Sequence, residues 1–208
     1  MRFDSLHTLI RERYPEGNND NLGEACAESS RLGIVCKAAG VEGLFIDQGL
    51  CYFFKDGKII RHPQCTYTDI SQDQLLPLYL CLNLYDLPIL LSIYKSIDIY
   101  SEFKNYIGPK VLGQAYIFKF PWRWNDGKKC IESTDKSACD YLNFICQILY
   151  AEVSGKSNWM IRQAMRVIPA EKAKAKVHMY YLEGDDAEPN SLWLVNLYFQ
   201  AIDKWWIK

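Results

Sequence analysis

The sequence predicts a mainly α-helical protein of antiparallel helical hairpins, with one small β-hairpin near residues 50–62. Three observations predict it. Apolar residues recur at steps of three and four over most of the 208-residue chain. Helix starts (Ser, Asn, Asp) and stops (Gly, Pro) alternate at short intervals, and short links favour antiparallel neighbours. One stretch breaks the helical period: "CYFF" and "KIIR" flank Lys55-Asp56-Gly57-Lys58, and Asp-Gly tolerates the positive φ angles of a tight hairpin turn.

In chain order, residues 2–14 suit a short helix, with Phe3, Leu6, Ile10 and Tyr14 near one face. "PEGNNDN" breaks it. Asn19, Asp20 or Asn21 can then cap a helix running to about Ala39 and closed by Gly40. After the hairpin, Ser71 is a good N-cap and Gln74 completes a capping box, while Pro77 kinks the helix or delays its start. That helix should reach about Tyr85. Asp86 can cap the next one, with Leu87, Leu90, Leu91, Tyr94 and Ile97 as its apolar stripe. Residues 107–130 are the least regular. Ser133 or Thr134 can start a helix through Tyr141, Ile145 and Leu149, stopped at Gly155. Ser157 begins another, ended by Pro169. "AEKAKAKVHMYYLEG" and "SLWLVNLYFQAIDKWWIK" complete the set. The expected organisation is one domain over 1–208, with 107–130 as the place for any boundary.

Composition narrows the function classes. A hydrophobic share of 49% and a charged share of 24% are those of a globular protein. The net charge of -1 gives no whole-chain field for nucleic acid or an anionic membrane, and neither is expected as a partner. Leu75 to Ile97 comes closest to a membrane span, but Asn83, Asp86 and Pro88 interrupt it. An ionised Asp there costs about 2.5–3.5 kcal/mol on insertion scales. The eight cysteines contain no CxxC pair, several lie in apolar runs, and the N-terminus lacks the apolar core of a signal peptide. Reduced thiols in a cytoplasmic protein are the expectation. His62 and Cys65 are a lone pair of ligand types, so no metal is expected, and without a P-loop or dinucleotide fingerprint neither is a cofactor.

One polar set carries chemistry. Asn21, Glu24, Glu28 and Arg31 share a face of the 21–39 helix. A solvated helix face carries such charges routinely; a buried cleft would use the same set as acid, base and anion clamp. "RHPQCTYTDISQDQLLP" adds Arg61, His62, Asp73 and Gln74 around a helix start. Asp73 there also suits the positive end of the helix dipole. In "PWRWNDG", Trp122 and Trp124 can stack on sugar rings, although paired loop tryptophans often pack on their own protein.

The order "GEACAESSRLG", a hairpin-like insert ending in "RHP", then "SQDQLLPLYLCLNL", resembles a group of uncharacterised phage-associated proteins built from helical hairpins. The resemblance covers about residues 20–86; Gln72 stands where the pattern has Arg, which weakens any anion contact assigned there. Such proteins resemble part of the (α/α) toroids used by many carbohydrate-active enzymes. What the resemblance implies is a polar cavity lined by Glu24, Glu28, Arg61, His62, Asp73 and Gln74.

Two function classes stay open, and the sequence does not decide whether the protein is an enzyme. In the first, the cleft binds or hydrolyses a glycan-like ligand. Glu28 and Asp73 act as the catalytic carboxylates and His62 tunes or replaces one of them, with Glu24, Arg31, Arg61, Gln74, Trp122 and Trp124 binding substrate. In the second, the protein is a phage or mobile-element accessory protein that binds a protein partner through its aromatic C-terminal segment, with Trp205 and Trp206 exposed as anchors.

Overall fold

The structure, a computed structural model, describes residues 19–41, 50, 53–55, 58–62, 72–86, 131–136, 140–157, 159–184 and 191–206. The helices expected over 2–14 and after Asp86, and the irregular 107–130 stretch, lie outside them. The protein is mainly helical. The described elements are α1 (Asn19–Ala39), β1 (Phe54–Lys55), β2 (Lys58–Ile59), α2 (Gln72–Leu84), α3 (Asp140–Val153), α4 (Trp159–Val167), α5 (Ala170–His178) and α6 (Leu192–Trp205). A π-helical turn, Met179–Glu183, follows α5 directly. No described helix is long and apolar enough to cross a membrane.

The chain divides into two compact units, 1–34 with 41–111, and 35–40 with 112–208. In the first, α1 lacks a solvent face between Ala25 and Ile34: every residue there is buried. Small side chains make this feasible, and Ser29 and Ser30 satisfy their hydroxyls inside the helix, on Ala25 O at 2.5 Å and Cys26 O at 2.7 Å. A helix buried all round is a central element rather than an amphipathic one. Gly40 closes it at φ 84, in the left-handed region a helix C-cap favours.

Strand pairing is short: Phe54 lies opposite Ile59 and Lys55 opposite Lys58, antiparallel, with Ile60 N donating to Phe53 O at 2.8 Å. The hairpin expected from residue 50 is cut back at that end, because Leu50 is helical and Phe53 N closes a turn onto its carbonyl. α2 starts at Gln72 with Pro77 inside it, so the proline does not delay the start. Proline's missing N–H costs only one rung of the ladder. Beyond α2, Asp86 takes φ 47, a left-handed position Asp tolerates, and Tyr85 Oη donates to Gly33 O at 2.8 Å. That bond ties the end of α2 to α1.

The second unit packs α3 against α4, α5 and α6, and α5 against α6. α3 is buried all round from Tyr141 to Ala151. It begins at Asp140, not at Ser133 or Thr134; residues 133–135 are non-helical, and Ser133 Oγ instead accepts from Asp135 N at 3.0 Å. Gly155 ends its turn at φ 67, and Pro169 stands at the N-cap of α5. Lys174 joins α5 to α6 through Asp203 at 2.6 Å.

Candidate functional site

Burial of α1 fixes the character of the polar set. Arg31 has no exposed surface, and its guanidinium Nη2 lies 2.8 Å from Glu28 Oε1 and 3.8 Å from Glu24 Oε2. The three residues are spaced four and three apart, so one stripe of the helix holds them. Glu28 is itself buried at 5% exposure, while the Glu24 side chain keeps 36%. Glu28 and Arg31 therefore do not lie on a solvated face, while Glu24 stays half-exposed.

Arg61 and His62 follow the short strand pair. The charge of Arg61 acts on Cys26, on the turn of α1 between Glu24 and Arg31. Burial pushes the Cys26 thiol up to about 12; Glu24 raises it further and Arg31 and Arg61 act the other way. The thiol stays protonated at neutral pH and is no nucleophile. His62 is buried, and that burial lowers its pKa, keeping the imidazole neutral. Gln74, in the first turn of α2, is fully buried, and Tyr85 holds the far end of that helix to α1.

Of the residues singled out from the sequence, Glu24, Glu28 and Arg31 are thus drawn together on α1, the charge of Arg61 acts on Cys26 beside them, and His62 and Gln74 are buried in the same unit. Asp73 occupies the first turn of α2, but its side chain lies outside the described part. Trp122 and Trp124 also fall outside the described residues. Cys26 and Ser29 stand on another face of α1 in the sequence pattern, which gave no sign that this face and the polar one would both be buried. The described cysteines Cys26, Cys36, Cys81 and Cys146 are buried thiols, none in a disulfide. No group of His, Cys, Asp and Glu able to hold a metal occurs among the described residues.

The C-terminal anchors point inward. Trp206 is buried with its indole N–H on Ile168 O at 2.8 Å, and half-buried Trp205 donates to Ala38 O at 2.7 Å. Among the described residues of this unit, the large apolar side chains that are exposed are instead Trp159, Leu192 and Val167.

Comparison of the chain with protein-family models, curated proteins and solved structures finds no match.

Proposed function

We propose that the first unit binds a neutral, hydroxyl-rich ligand of the carbohydrate kind at the polar set of α1, the 61–62 segment and the start of α2. The observation that carries this is the wholly buried Arg31 guanidinium held at 2.8 Å by a buried Glu28. A buried ion pair is a poor way to stabilise a fold, because desolvation offsets most of the Coulombic gain. Two carboxylates, Glu24 and Glu28, balance two guanidiniums, Arg31 and Arg61, so the set favours neither an anion nor a cation. It offers fixed donors and acceptors, which suit hydroxyl groups.

Hydrolysis is the chemistry such a set would perform. Glu28, charge-paired with Arg31, takes the base or nucleophile part, and Asp73 at the start of α2 takes the acid part. One carboxyl protonates the leaving oxygen while the other attacks the anomeric carbon or activates the water that does. On the likeness of residues 20–86 we read the chain as phage or mobile-element in type. Buried thiols outside any disulfide support a reducing, cytoplasmic setting.

The test is a panel of oligosaccharides titrated by calorimetry, with reducing ends assayed in parallel. Asp73→Asn should abolish turnover, and Arg61→Gln should weaken binding about ten-fold or more, with helical circular dichroism retained. The reading fails if Asp73→Asn and Glu28→Gln leave every detectable turnover and affinity untouched.

A further inference from the structure

The outward face of α4 belongs to the other unit and takes no part in that reading. Its underside, Ile161, Ala164 and Met165, is buried, and Ile168 just beyond it accepts the Trp206 indole N–H. The opposite face carries Trp159, Arg162 and Arg166, all exposed, with Gln163 half-exposed between them. Steps of three and seven place the three within roughly 60° of arc. Trp159 is 70% exposed, far beyond what a tryptophan serving the core would show.

The charge on this face has one sign. α4 contains no Asp or Glu, and neither guanidinium pairs with a carboxylate among the described residues. Arg162 and Arg166 stand one turn apart, about 6 Å along the axis, where like charges repel. The last-turn position of Arg166 suits the helix dipole; Arg162 has no such reason. A convex face with two cations and a bare indole does not enclose a small ligand, but it fits a polyanion that drapes over it and offers flat groups for stacking.

We propose that this face binds single-stranded nucleic acid without sequence preference, Trp159 stacking on a base and Arg162 and Arg166 contacting successive phosphates. An anionic bilayer fits less well, because the apolar side of α4 is already buried and cannot insert. The chain's total charge of -1 describes the sum, whereas binding depends on the local stripe.

Anisotropy of a fluorescein-labelled oligothymidine of about twenty nucleotides, titrated with the full chain at several salt concentrations, tests this. Binding should be weak and salt-sensitive. Arg162→Gln and Arg166→Gln should each flatten the log K against log salt slope by about 0.7. Trp159→Ala should weaken binding about ten-fold with the slope kept, and Trp159→Phe should restore part of it. Circular dichroism should stay unchanged throughout, since all three side chains face solvent. No binding at low salt overturns the proposal. So does undiminished binding by the Arg162→Glu, Arg166→Glu double variant. Displacement of the oligonucleotide by poly-glutamate or phosphatidylserine vesicles at matched charge overturns it as well, in favour of a general polyanion or membrane surface. None of these outcomes touches the carbohydrate reading, whose residues lie in the first unit.

Discussion

Arg31 is wholly buried, yet its guanidinium stands 2.8 Å from one carboxylate and 3.8 Å from another on its own helix. Removing either member of the closer pair takes the nearest counter-charge from a buried group, at a cost of about 3–5 kcal/mol. Removing both lets apolar atoms fill the space. Glu28→Leu and Arg31→Met should therefore each lower unfolding stability strongly, and the double variant should regain most of the loss. Ligand affinity should follow the opposite pattern, absent from all three. Urea melts beside calorimetry read the two quantities separately, and a double variant that still binds would place the site elsewhere. At this scale the spacing of Glu24, Glu28 and Arg31 was legible in the sequence, and the burial of Glu28 and Arg31 was not. Periodicity says which side chains share a face. It does not say which way the face points when Ala25, Cys26, Ala27, Ser29 and Ser30 allow neighbours to close in from every side.

Helix ends were legible where backbone chemistry fixes them. Gly40 and Gly155 adopt left-handed φ, and α4 stops at Val167 just before Pro169, because few other residues do these jobs. The π-helical turn was not legible. It widens the end of α5 where Tyr180 and Tyr181 are buried edge to face, with ring centroids 4.9 Å apart, and such packing leaves no local signature. Gly184 ends this turn for want of space rather than for its dihedrals. Its φ is an ordinary -71, but a Cβ there would lie 2.6 Å from Tyr180 O and 3.1 Å from Lys136 O. Both obstacles are backbone. Gly184→Ala should cost about 1–3 kcal/mol and alter the near-ultraviolet tyrosine dichroism. Gly155 is the converse, at φ 67 with nothing within 4 Å of a Cβ, so Gly155→Ala costs about 1–2 kcal/mol from conformation alone. Asn, which tolerates that conformation, should recover much of the loss at 155 and none at 184. Equal behaviour of Asn at the two positions would refute this division.

The two units differ in what their interiors hold, and acid should separate them. The first buries Glu28, Arg31 and His62; among the described residues of the second, the buried charged group is Lys176, set against Ser133 O and the Tyr141 ring. Burial lowers the His62 pKa, whereas the unfolded chain titrates near the ordinary 6.5. Between those values the unfolded state binds the proton that the folded state resists. The stability contribution is therefore complete above about 6.5 and is lost as pH falls towards the lowered value. Among its described residues the second unit buries no imidazole and no carboxylate, so nothing comparable happens there. Hydrogen exchange, corrected for the intrinsic rate, should then show α1 over 24–34 and α2 over 76–82 losing protection between about pH 7 and 5 while α3, α5 and α6 keep theirs. His62→Gln should remove the upper part of that step, because its amide does not titrate. Parallel loss of protection in both sets of helices, or an unaltered step in the variant, would show that buried charge is not what governs the first unit's response to pH.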